Sequence, residues 1–124
     1  MITVTITAGE IALTATFNDS ETAYQIGAAL PIVGQANLWG DEIYFEIPVD
    51  LDEAPDALTE VEVGTLAYWP VGNAFCIFFG RTPVSQNSNP RAYSPVNVFG
   101  HIMGDATVFR TVKRGATITV TANN

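Results

Sequence analysis

The sequence predicts a mainly β protein, a closed or nearly closed antiparallel barrel of about eight short strands capped by one or two short helices. Three observations carry that expectation. β-Branched and aromatic residues alternate with polar ones along most of the chain, Gly and Pro turn signals interrupt the alternation at short intervals, and one clear stretch has helical spacing. The 124 residues suffice for one domain, 1–124, that buries roughly two-thirds of its unfolded surface. Apolar residues make up 48% and charged ones 15%, a composition that excludes a disordered chain.

The opening "MITVTITAGEIALTATF" alternates Ile2, Val4 and Ile6 with threonines, turns at Ala8-Gly9-Glu10, and alternates again through Ile11, Leu13 and Ala15, so it predicts a β-hairpin. In "NDSETAYQIGAALP", Asp19 or Ser20 caps a helix that Pro31 stops. Ala23, Ile26, Gly27 and Leu30 share a face, which places this helix over an end of the sheet or barrel. "VGQANLWGD" reads as a strand and turn. In "WGDEIYFEIP", Ile43, Phe45 and Ile47 lie on one face and Glu42, Tyr44 and Glu46 on the other, the pattern of a half-buried strand.

"VDLDEAPDALTEVEVG" is an acidic connection ending in a short strand, and "TLAYWPVGNAFCIFFG" is two strands joined by a Pro-Val-Gly-Asn turn. The turn formers and three prolines of "RTPVSQNSNPRAYSP" predict a long irregular loop, with Thr82 to Pro95 as the candidate site rim. A strand "VNVFGHIMG", a short helix "DATVFRTV" capped by Asp105, and a closing strand "ATITVTA" complete the chain.

The formal charge of −8 is unevenly spread: residues 1–62 hold twelve of the thirteen acids and no Lys or Arg, whereas all five bases lie from Arg81 onward. An acidic total argues against nucleic acid as a partner, because that affinity comes largely from neutralised phosphates. No charge-free run approaches the ~20 residues of a bilayer span, and the N-terminus lacks the basic start and apolar block of a secretory leader. The expectation is a cytoplasmic protein with no membrane partner.

Cys76 is the only cysteine, which excludes an internal disulfide and a cysteine-clustered zinc site, and its "FCIFF" setting predicts a buried thiol. His101, the only histidine, has no neighbouring ligand at zinc-enzyme spacing. No metal or cofactor is expected. Glu42 and Glu46 share a strand face, but four residues at about 3.3 Å separate them by roughly 13 Å, beyond the ~5 to 9.5 Å of glycosidase carboxyl pairs. Glu42 alone remains a candidate general base or polar anchor, beside the reading of a solvated strand residue. Along "AFCIFF", Phe75, Ile77 and Phe79 oppose Cys76 and Phe78, so one set fills the interior and the other lines a groove or interface.

The order of these segments, and above all "WGDEIYFEIP" and "YWPVGNAFCIFFGRTP", resembles the cyclophilin-like barrel family of small prokaryotic proteins with no assigned biochemical role. The resemblance covers nearly the whole chain and implies the barrel of the cyclophilin prolyl isomerases. Those enzymes carry an arginine three residues before the proline of a strand ending in Ile-Pro; counted from Pro48, the matching position is Phe45. Of their groove residues Phe, Met and Gln, the stretch with Phe75, Cys76 and Phe78 retains the phenylalanine only, and their histidine would fall near Val96.

The resemblance therefore implies the fold without efficient isomerase chemistry. The functional expectation is a binding module for a small molecule or extended peptide, its groove built from Glu42, Tyr44, Phe45, Phe75, Phe78, Arg81 and Asn97. The alternatives are a weak or rewired prolyl isomerase or hydrolase using Glu42 and Arg81, and a homodimer joined through outer aromatics.

Overall fold

The computed structural model describes residues 1–123, and its elements follow the sequence alternation closely at the N-terminus. Strands β1 (Ile2–Ala8) and β2 (Ile11–Phe17) pair antiparallel from Ile2 opposite Phe17 to Ala8 opposite Ile11. Gly9 takes the turn with φ of +60°, a conformation that a Cβ disfavours. Helix α1 (Glu21–Ala28) is capped by Ser20, whose Oγ accepts the Ala23 amide at 3.1 Å, and it buries Thr22, Ala23 and Ile26.

The remaining strands are β3 (Ile32–Gln35), β4 (Asn37–Leu38), β5 (Glu42–Glu46), β6 (Leu58–Glu60), β7 (Thr65–Trp69), β8 (Ala74–Phe78), β9 (Arg91–Met103) and β10 (Thr117–Ala122). A 3-10 turn at Pro70–Gly72 joins β7 to β8, and another at Ala106–Thr111 is capped by Asp105. No helix among the described residues is long and apolar enough to cross a membrane.

Every ladder is antiparallel, and the hydrogen-bonded order is β3-β10-β1-β2-β9-β7-β8-β5-β4, with β6 added on β9. This order has two ends, so the sheet is not closed into the expected barrel, and it holds ten strands. The ends β3 and β4 are separated by Ala36 alone, whose amide and carbonyl are used by Ala116 and Gly115 at 2.8 Å each. The chain turns there. Gly34 of β3 packs flat on the Phe45 ring of β5, since a Cβ at Gly34 would lie 2.7 Å from that ring. Side-chain packing replaces a ladder at the seam.

The loop expected over Thr82 to Pro95 is shorter, because β9 begins at Arg91. Pro95 is tolerated within β9 because the β6 pairing is irregular there, shifting between Leu58 opposite Val96 and Glu60 opposite Arg91, and the β7 ladder starts only at Asn97.

Two apolar clusters lie on opposite faces of β5, β7 and β8. The main core holds Phe17, Ile43, Phe45, Leu66, Tyr68, Phe75, Ile77, Phe99 and their neighbours. The minor cluster holds Val61, Ala67, Cys76, Phe78, Ala92 and Val96, flanked by half-buried Tyr44, Trp69 and Val98. Phe75, Ile77 and Phe79 are thus the inward set, whereas Cys76 and Phe78 face the minor cluster.

Candidate functional site

A cavity of about 170 Å³ opens on the minor cluster, lined by Trp39, Glu42, Tyr44, Trp69, Ala92, Tyr93 and Val96. Strand β5 supplies Glu42 and Tyr44, which alternate with the core residues Ile43 and Phe45. Trp39 is set beside Glu42 by the tight β4–β5 turn, in which Trp39 N donates to Glu42 O at 2.9 Å and Glu42 N to Trp39 O at 3.2 Å. Gly40 makes that turn with φ of +59°, and a Cβ there would also meet the Arg81 carbonyl and Thr82 Cα at 2.9 Å. Both constraints demand glycine.

Trp69, at the end of β7, is held by a 2.6 Å hydrogen bond from its Nε1 to Ser94 Oγ and by Gly72 lying flat on the indole. The four rings stand nearly at right angles to their neighbours. Trp39 and Tyr93 have centroids 6.1 Å apart at 73°, Tyr93 and Trp69 6.2 Å at 81°, and Trp69 and Tyr44 6.4 Å at 79°. Tyr93 is 74% exposed and forms the rim, while Glu42 is 6% exposed at the base.

Glu42 is electrostatically unusual. Burial pushes its carboxyl up to about 7, and the neighbouring Cys76 thiol offsets little of that, being a weak donor. The same burial, and next the Glu42 charge, push the thiol well above its ordinary range. The ion pairs among the described residues, Met1 with Asp19 and Arg110 with Asp41, leave Glu42 without a cation. No buried side-chain oxygen or nitrogen among them lacks a partner, so the Glu42 oxygens open to the cavity. A carboxyl poised near neutrality can exchange a proton or anchor a positive charge. Among the described residues no three His, Cys, Asp or Glu side chains gather to hold a metal.

Of the residues expected at the site, Glu42 and Tyr44 line the cavity. Phe45 and Phe75 do not, because they point into the main core, 1% and 0% exposed, and stack on each other at 5.0 Å and 20°. Phe78 lies within the minor cluster as the ladder partner of Glu42. Arg81 is exposed, and its Nη2 donates to the Ser85 carbonyl at 3.4 Å rather than pairing with Glu42. Asn97, 2% exposed, is occupied by structure: it accepts from Ala54 N at 2.7 Å and donates to Asp52 O at 3.0 Å and Thr22 Oγ1 at 3.3 Å, pinning the acidic connection.

Glu42 itself is buried rather than solvated, at the base of a cavity that it shares with Ala92 and Val96 of β9. Trp39 and Trp69 were not among the expected site residues, and Tyr93 was expected only as part of the rim segment Thr82 to Pro95. Their signal was present: large aromatics beside turn residues, in "WGD", "YWPVG" and "RAYSP".

A search among curated proteins finds no match. Among solved structures, the chain is similar to the solution structure of a hypothetical protein from Archaeoglobus fulgidus, at 34% identity and a TM-score of 0.82, covering 98% of this chain and 95% of that one. The family described as cyclophilin-like matches residues 2–121, and the chain belongs to that family.

Proposed function

We propose that this protein is a small-molecule binding module without efficient prolyl isomerase chemistry, its ligand held in the cavity between β5, β7 and β9. The supporting observation is the convergence of four aromatic rings on one buried, unpaired carboxyl. Apolar walls with one placed polar group describe a ligand pocket. The 170 Å³ volume is close to the ~150 Å³ of a protein cavity that takes benzene. That size suits a small molecule better than an extended peptide.

An arginine-dependent amide rotation has no donor among the lining residues, whose one charged group is an acid. The equivalent position, Phe45, lies on the opposite face of β5. We take residues 1–124 as one module acting in the cytoplasm.

A thermal-shift screen of small fragments, run beside a prolyl-peptide isomerisation assay, tests this reading. Stabilising ligands raise the melting temperature by mass action, and the rise disappears in Trp69→Ala without any acceleration of isomerisation. Turnover that depends on Arg81 would overturn the proposal, as would ligand shifts unchanged in Trp69→Ala.

A further inference from the structure

The binding reading leaves the charge of the ligand open, and the cavity walls decide it. Each ring carries negative potential on its face, and rings that border one space with nearly perpendicular planes can offer a face to a positive charge within about 6 Å of their centroids. Trp39, Tyr93, Trp69 and Tyr44 form such a series, with neighbouring planes at 73°, 81° and 79°. Glu42 opens to the same space with no cationic partner among the described residues, and the lining holds no Lys, Arg or His.

The three ligand charges can be compared directly. An anion meets a carboxylate among four electron-rich aromatic rings. A neutral guest removes the last water from the carboxyl and returns no counter-charge, which costs free energy. A cation supplies the missing counter-charge and uses the ring faces. Compact ammonium ions bearing methyl groups also present apolar surface to Ala92 and Val96.

We propose that the cavity is an aromatic cage for the alkylated ammonium group of a small organic cation, with Glu42 as its counter-charge. This inference rests on the binding-module reading and adds the ligand class. The chain's −8 charge also raises the local concentration of such ions at low salt.

Proton linkage gives the inference a second signature. Burial holds the Glu42 carboxyl near 7, and the cation selects the ionised form. Other groups facing it are the Tyr44 phenol on its own strand, the Cys76 thiol from β8 and the Tyr93 phenol from β9, with uncharged Trp69 from β7 and Trp39 from the turn. Asp41, beside it in sequence, is turned toward Arg110 and Gly80. Cation affinity therefore falls toward about tenfold per pH unit below 7.

The test uses choline and tetramethylammonium as probes, with 3,3-dimethylbutan-1-ol as the uncharged analogue of choline, followed by tryptophan fluorescence and calorimetry on the full chain. Both cations are expected to bind at millimolar or lower concentration, and the alcohol about tenfold or more weaker. Glu42→Gln should weaken the cations about tenfold and remove the pH dependence. Tyr93→Ala, on the exposed rim and so harmless to folding, should weaken them severalfold. Equal binding of alcohol and cation, lost in Tyr93→Ala, overturns the cage and leaves the binding module standing. Binding of neither cation overturns the cage, and the further failure of every fragment in the thermal screen removes the module as well.

Discussion

The two faces of β5 differ in what their aromatic side chains do. On the inner face, Phe45 stacks on Phe75 at 5.0 Å, Phe75 meets Phe99 edge-on at 5.0 Å, and nothing reaches solvent. On the outer face, Tyr44 stands beside Glu42 and joins the open series of rings around the cavity. The inner rings are sealed against one another, whereas the outer rings border an open cavity with a carboxyl that has no cationic partner among the described residues. A desolvated carboxyl of this kind opposes stability, and such costs concentrate at sites of function.

That contrast can be broken most sharply from the inside. Phe75→Ala removes the ring shared by Phe17, Phe45 and Phe99 and should cost about 3 to 5 kcal/mol of stability. Urea denaturation measures it, and a loss below about 1 kcal/mol would show that the inner face is not the structural one.

Glu42→Gln should act in the opposite direction. The Glu42 carboxyl moves from 4.5 to about 7 on folding, so the native state binds the extra proton between those values. Its stability is fully present below 4.5 and is lost as pH rises through 7. At pH 8 the substitution should therefore stabilise by roughly 3 kcal/mol at most, with little effect near pH 4. Denaturation curves at the two pH values check the sign; equal stability changes at both would contradict a buried, unpaired acid.

Smaller effects sharpen the outer face. Gly40→Ala forces a Cβ against the Arg81 carbonyl at positive φ and should cost about 1 to 3 kcal/mol. Because the same turn positions Trp39 beside Glu42, ligand shifts should weaken alongside the melting temperature. Arg110→Ala breaks an exposed ion pair with Asp41 and should change stability by about 0.5 kcal/mol or less. It should leave cavity binding intact, since Asp41 points away from the lining. A large binding loss in Arg110→Ala would extend the site to that ion pair.

Several features are legible in the sequence because they depend on neighbours along the chain. The β1–β2 hairpin follows from period-two alternation around Gly9, and α1 from a Ser20 cap and apolar spacing that brings Ala23 and Ile26 inward. The Asp105 cap reads from the same local chemistry, although the helix it starts is 3-10. The assignment of Ile43, Phe45 and Ile47 to one face matches their burial. Turn formers between Arg81 and Pro95 suggested one loop, whereas pairing with β6 extends β9 back to Arg91.

By itself, then, the sequence determined the alternation of faces, the places where the chain turns, and the family resemblance, since short-range sterics and hydrogen bonding set each of these. Tertiary structure alone decided which face carries the cavity. Glu42 is buried at the base of a cavity to which Ala92 and Val96 of β9 also contribute, and Trp39, Trp69 and Tyr93 converge because β4, β7 and β9 meet from distant parts of the chain. It also spent Asn97 on the 52–54 backbone and left the sheet's ends joined by Ala36 instead of a ladder. Strand periodicity specifies which side chains share a face; only non-local pairing specifies what covers that face, and the covering sets the dielectric that turned an acid into a candidate cation anchor.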